Sequence, residues 1–190
     1  MLIYFIRHGE SETNLNVRLT GWYDTPLTEK GIEDAKKAGE FLKNVHFDKV
    51  FTSDLKRAKK TADIALPGYS YEESKLLREI NVGSLSNTPH SDISKETKKI
   101  TAKIGYSDFG GESRDDFISR ISLFMKQLEN SKYNTVAVFC HAGWMRAMLD
   151  IVTGLYLPRQ SVYLGNCAIT IYKLNGTLWQ LNGLFNIPSI

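Results

Sequence analysis

Arg7-His8-Gly9-Glu10 follows five apolar residues, Leu2-Ile3-Tyr4-Phe5-Ile6, close to the start of the chain. An imidazole can be neutral near pH 7 and is then nucleophilic. The guanidinium beside it can hold two oxygens of a phosphate while a ring nitrogen approaches phosphorus. Alone, the dipeptide reads equally well as a strand that ends in polar residues. Arg57 and His141 recur in similar settings, after Lys49-Val50-Phe51-Thr52-Ser53 and after Thr135-Val136-Ala137-Val138-Phe139-Cys140. Brought together, Arg7 and Arg57 would neutralise the equatorial oxygens of a transferring phosphoryl group. One histidine would attack in line and the other would hydrogen-bond an oxygen. The attacking nitrogen must be unprotonated, so the second ring nitrogen of His8 is expected to donate to a backbone carbonyl. Expulsion of an alkoxide needs a proton donor, and Glu79, just before the turn-rich stretch from Gly83 to Pro89, is the candidate. After the alcohol leaves, the same carboxylate could activate water; nearby phosphate charge would raise its pKa toward the useful range. Taken singly, His141 is an ordinary strand-end histidine and Glu79 a surface carboxylate. Their combination points to chemistry.

Such convergence requires strands whose C-terminal ends share one edge. The apolar run at 2–6 reads as a fully buried strand, and 49–53 and 135–140 repeat the pattern, each followed by a helix. Alternating strands and helices imply a largely parallel sheet with ligands at its C-terminal edge. Thr28 looks like an N-cap for a helix with Glu29 in its first turn and Ile32, Ala35, Gly39 and Leu42 on its inner face. Asp54 is a plausible cap for the helix that carries Arg57. An arginine in a first turn opposes the macrodipole and needs a reason, solvent exposure being the plainest. Residues 67–112 are the least regular. A helix there is expected to put Ile93, Ile100 and Ile104 on one side and Lys95, Lys98, Lys99 and Lys103 mainly on the other. Those lysines read as a solvated face, with a mobile basic lid as the alternative. Ser113 caps a helix with Asp115 and Asp116 in its first turn and Phe117, Ile121, Phe124 and Leu128 on one face. His141-Ala142-Gly143 reads as a turn before a helix over Trp144–Val152, with Gly154 as its stop. Asn175-Gly176 is a type I′ hairpin signal between two apolar runs.

The 190 residues fit one domain, 1–190, with a lid-like insertion at about 80–112. Hydrophobic residues at 42% and charged residues at 24% place the chain with globular proteins. The formal charge of +3 suits an anionic small molecule but supplies no basic stripe, so nucleic acid is excluded as a partner. Cys140 and Cys167 have no CxxC spacing, which favours free thiols in a reducing cytosol. No basic segment precedes the first apolar run, and no run is long enough to cross a bilayer, so a cytoplasmic protein without a membrane partner is expected. Trp22 and Tyr23 read as an interface, a pocket wall or partial core packing, which leaves a homodimer open.

Ile6-Arg7-His8-Gly9-Glu10-Ser11-Glu12-Thr13-Asn14 resembles the RHGE-x-x-x-N signature of the histidine phosphatase superfamily, the phosphoglycerate-mutase-like enzymes. Thr20-Gly21-Trp22-Tyr23-Asp24-Thr25-Pro26-Leu27-Thr28-Glu29-Lys30-Gly31 is similar to that family's G-W-x-D-x-P-L-T-x-x-G block, and Thr52-Ser53-Asp54-Leu55-Lys56-Arg57-Ala58 to its T-S-x-L-x-R-A block. Leu77-Arg78-Glu79-Ile80-Asn81-Val82-Gly83 resembles L-x-E-x-x-x-G, and Gly111-Glu112-Ser113 the G-E-S element. Cys140-His141-Ala142-Gly143 stands in place of the second histidine motif. The resemblance runs in family order from Met1 to about Asn182.

It implies an α/β fold, a three-layer α/β/α sandwich with a mostly parallel mixed sheet, and a pocket covered by 80–112. It implies His8 as the phosphorylated nucleophile, Glu79 as proton donor, and Arg7, Arg57 and His141 as the rest of the phosphate pocket. Asn14, Thr20, Gly21 and the Ala142 backbone would add contacts to the phosphorylated small-molecule substrate. No cofactor and no metal are implied. Two departures stand out. Ser84-Leu85-Ser86-Asn87 replaces an acidic–Trp–Glu–Gly pattern, and Ala142 replaces a common glycine. The glycolytic mutases resembled here are typically longer, so the expectation is a metal-independent phosphomonoester hydrolase, with a phosphomutase second. A non-catalytic phosphate-binding relative is disfavoured because His8, Arg57, Glu79 and His141 are all present.

Overall fold

The structure, a computed structural model, describes residues 1–155, 158 and 161–187. In chain order its elements are β1 (Leu2–Arg7), α1 (Glu12–Leu15), β2 (Arg18–Leu19), α2 (Glu29–Leu42), β3 (Lys49–Ser53), α3 (Lys56–Ala65) and β4 (Glu72–Ser74). There follow β5 (Thr88–Pro89), α4 (Lys95–Ile104), α5 (Arg114–Glu129), β6 (Thr135–Cys140), α6 (Ala142–Thr153), β7 (Ile169–Asn175) and β8 (Leu178–Phe185). The main sheet has the order β4-β3-β6-β1-β7-β8. β4, β3, β6 and β1 run parallel, β7 pairs antiparallel with β1, and β8 pairs antiparallel with β7. The fold is therefore the mixed, mostly parallel α/β arrangement expected. Among the described residues no helix is long and apolar enough to cross a membrane. Cys140 and Cys167 are buried free thiols.

Alternation along the central strands builds the layers. Ile3, Phe5, Val136 and Val138 face a core shared with Phe117, Ile121, Phe124 and Leu128 of α5 and Trp144 and Met148 of α6. Ile6, Ala137, Phe139 and Val50 point the other way, onto Ala35, Ala38 and Leu42 of α2 and Ala62 and Ala65 of α3. Each such large apolar side chain contributes about 1.5–3 kcal/mol when fully buried. A strand buried on both faces cannot slip by one residue without exchanging its two sets. That locks the register of β1 on β6, where Arg7 pairs with Cys140. The N–H of His8 then donates to the Cys140 carbonyl at 3.0 Å, and His8 comes to lie beside His141.

Local details depart from the sequence expectations. The buried face of α2 is Gly31, Asp34, Ala35, Ala38 and Leu42, with Ile32 and Gly39 only partly covered. Thr28 does cap it, accepting from the Gly31 N–H. Asp54 does not cap α3. Leu55 holds that position, and Asp54 instead takes both arms of Arg78, at 2.7 and 2.6 Å. A charged bidentate pair outweighs a single capping bond. In α4, Ile93 precedes the helix and is buried, whereas Ile100 and Ile104 are 37% and 39% exposed. With Ile93 outside, two isoleucines make too weak a stripe to orient the helix, which buries Thr101 instead. The last hairpin turns on Gly176-Thr177, because Asn175 pairs with Leu178. Gly176 has φ +61, the pattern of a type II′ turn with glycine first.

Candidate active site

The β1 C-terminus carries His8, which is 4% exposed. Its Nδ1–H donates to the Gly9 carbonyl at 2.7 Å. Its Nε2 lies 3.2 Å from the Nε–H of Arg57 and must accept there, so the proton sits on Nδ1 and the lone pair on Nε2. Burial, then the Arg57 and Arg7 charges, hold its pKa well below the ordinary value. The surroundings thus favour the neutral imidazole, with its lone pair on Nε2.

Arg57 leaves the first turn of α3 and turns inward. Its Nη2 donates to the Gly21 carbonyl at 2.8 Å and its Nη1 to the Tyr23 carbonyl at 3.0 Å. Those carbonyls are the reason an arginine tolerates this end of a helix while 1% exposed. Burial lowers its pKa to about 10, which still leaves it cationic. Arg7 donates from Nη1 to the Leu164 carbonyl at 2.6 Å, and its Nε is buried without a partner. His141 is fully buried, with ring centroid 5.1 Å from that of His8. Its Nε2 meets Ser53 Oγ at 2.9 Å, and its Nδ1 is buried and unpartnered. Arg7, His8 and Arg57 bring their nitrogens to the wall of one cavity, a set that suits an anion with several oxygens.

Glu79 approaches from the segment after β4. Its Oε1 accepts from the Ile80 N–H at 3.0 Å and its Oε2 from the Gly143 N–H at 2.9 Å. The helix α6 starts earlier than the sequence indicates, at Ala142 with His141 as the N-cap residue. Gly143 therefore offers one of the free N–H groups of a helix N-terminus. A Cβ on Gly143 would crowd Glu79 Oε1, so a side chain here would push the carboxylate from its present seat. The Glu79 backbone is held from behind. Its carbonyl accepts from Trp22 Nε1 at 2.6 Å and from Arg120 Nη2 at 3.2 Å. Arg120 also reaches the Leu76 and Arg78 carbonyls and forks onto Glu112, which accepts from the Asn81 N–H. Trp22 is thus a support for the Glu79 segment, while Tyr23 stays 45% exposed.

A cavity of about 170 Å³ joins these parts, walled by Arg7, His8, Asn14, Thr20, Gly21, Arg57, Glu79 and Ala142. His141 lies against His8 and is not among its wall residues. Sequence reasoning missed Arg18, His90, Tyr106 and Arg146, which also line it. Arg146 was findable: it lies one helical turn beyond Ala142 and Gly143 on the same face. Arg18 was not, because it sits on the two-residue strand β2 paired with β5. Its Nη1 donates to the Asn87 carbonyl at 2.5 Å. Asn87 has φ +59, a left-handed turn that asparagine tolerates. Asn166, also missed, donates to the His8 carbonyl and to Asn14 Oδ1, both at 3.2 Å. Among the described residues no group of three or more His, Cys, Asp or Glu side chains is arranged to hold a metal ion.

Two buried neutral histidines link stability to pH. The folded pKa values of His8 and His141 both lie below the unfolded one, so the unfolded chain takes up protons first. Their stabilisation is complete above about pH 6.5 and declines as the pH falls below it, by up to about 1.4 kcal/mol per pH unit for each histidine. Urea midpoints measured between pH 7.5 and 5 are expected to drop steeply below pH 6.5. A flat profile over that range would contradict the buried neutral state.

A model of the histidine phosphatase superfamily (branch 1) matches residues 3–187. The 2,3-bisphosphoglycerate-dependent phosphoglycerate mutase of Bradyrhizobium diazoefficiens is 32% identical over 92% of this chain and 92% of its own. The human 6-phosphofructo-2-kinase/fructose-2,6-bisphosphatase 4 is 35% identical over 77% of this chain and 32% of its own. The alpha-ribazole phosphatase of Shigella flexneri superposes with a TM-score of 0.84 at 25% identity, over 97% of this chain and 96% of that one. The mutase relative is of comparable length, which corrects the expectation that length would separate the two activities. By the family model and the mutase match together, the chain belongs to branch 1 of the histidine phosphatase superfamily.

Proposed function

We propose that the protein is a phosphomonoesterase that works through a phosphohistidine on His8 and needs no metal ion. The phosphoryl oxygens lie on Arg7, Arg57 and His141, with Asn14, Thr20, Gly21 and the Ala142 N–H as further contacts. The substrate displaces the Arg57 Nε–H from His8 Nε2, freeing the lone pair. Nε2 then attacks phosphorus as the bond to the ester oxygen breaks, and Glu79 delivers its proton to that oxygen. In the second half Glu79 takes a proton from water, the hydroxide attacks phosphorus, and the P–N electron pair returns to Nε2. Residues 1–190 act as one catalytic domain, with 80–112 as the segment over the substrate.

The observation that carries hydrolysis is the contrast in access. His8 is buried, whereas Glu79 is part-exposed at the cavity wall, where water can follow the departing alcohol. A phosphomutase is the second reading, favoured by the activity of the Bradyrhizobium relative at similar length. The two separate by product. With p-nitrophenyl phosphate and, separately, 3-phosphoglycerate plus 2,3-bisphosphoglycerate, both in EDTA, the expected product is inorganic phosphate, at a rate the chelator leaves unchanged. Formation of 2-phosphoglycerate without phosphate release would establish the mutase instead.

A further inference from the structure

A second space of about 370 Å³ adjoins the reaction cavity. The two share Ile80, Gly143 and Arg146 as walls, so they meet where the Glu79 carboxylate rests on the Gly143 N–H. Its course follows α6. Gly143, Arg146, Ala147 and Asp150 lie on one helix face and lead away from the Glu79 carboxylate over about 10 Å. Facing them are Phe117 and Ile118 of α5 and the buried Thr101 of α4. At the end farthest from Gly143, Arg114 and Asp150 set opposite charges 4.0 Å apart.

We infer that this space receives the leaving group of the substrate, and that this group is an alcohol bearing an aromatic or heteroaromatic ring. The inference rests on the phosphomonoesterase reading above. With phosphorus at His8 the ester oxygen lies by Glu79, and whatever it carries passes Ile80 and Gly143 into the second space. A three-carbon acid ends near that junction and leaves Phe117, Ile118 and Ala147 wet. A ring between those side chains removes apolar area from water on both sides. Arg146, the cation common to both spaces, stands at their junction.

The test compares 2-phenylethyl phosphate with ethyl phosphate, which differ in the ring but have similar leaving groups, and with 3-phosphoglycerate. For the unaltered protein kcat/KM is expected to be at least about tenfold higher for the ring-bearing ester, the scale of burying one ring. Ala147→Phe fills the space, and Ile118→Asp makes its wall polar by a different route on a partly exposed position. Each is expected to abolish the preference while kcat/KM for ethyl phosphate stays within about twofold, since neither touches the phosphate contacts. Equal rates for the two esters, a preference for 3-phosphoglycerate, or variants that lower both esters alike would overturn the assignment. If the unaltered protein turned over none of the three esters, the hydrolase reading would fall and this inference with it.

Discussion

Replacing His8 with alanine is expected to lower kcat by about 10⁴-fold or more, the scale seen when a hydrolase loses its nucleophile. His141 is its neighbour, but it is fully buried and is not among the residues that wall the cavity. The Arg57 Nε–H that meets His8 Nε2 at 3.2 Å would lose its acceptor, so some destabilisation is also expected. A chemical readout separates the two effects. Rapid acid-free quenching of the unaltered protein with labelled substrate should trap an acid-labile phosphoryl group on His8, absent from folded His8→Ala protein. Labelled phosphoprotein persisting in the variant would move the nucleophile elsewhere.

Replacing Glu79 with glutamine removes the proton donor and should show its size in the leaving group. For ethyl phosphate, whose alkoxide cannot depart unprotonated, kcat/KM is expected to fall by about 10²–10⁴-fold, the usual range for general acid catalysis. For p-nitrophenyl phosphate, whose leaving group needs little help, kcat/KM should fall much less. Its kcat should still drop, because water must be deprotonated in the second half, and a burst of p-nitrophenol should precede a slow steady state. Glutamine also turns one arm of the side chain into a donor facing the Gly143 or Ile80 N–H, so the pocket itself is perturbed. That perturbation acts on both esters. Equal losses for the two, without a burst, would show Glu79 to be only a structural group.

The site was legible wherever residue type and position along a strand were enough. Arg7 and His8, Arg57, and His141 each follow a buried apolar run, and a parallel sheet brings such strand ends to one edge. The sandwich could be read for the same reason: β1 and β6 alternate so strongly between two cores that their register has one solution. Capping at Thr28 and Ser113 was visible because a cap depends on three or four neighbouring residues. Where a local signal met a stronger distant partner, the local one lost. Asp54 went to Arg78, 24 residues away.

What the sequence determined by itself was a set of candidate polar groups, Arg7, His8, Arg57 and His141, and the sheet edge that gathers them, since both follow from period and motif order along the chain. The tertiary structure alone decided three further matters. It put the His8 proton on Nδ1, because the Arg57 Nε–H comes from a helix 49 residues on. It seated Glu79 on the Gly143 N–H, with Arg120 and Glu112 clamping the segment behind it. It laid the face of α6 beside α4 and α5 to enclose a second space. Each of these depends on side chains meeting across elements far apart in sequence, where packing and hydrogen-bond geometry, not periodicity, determine which partner is reached.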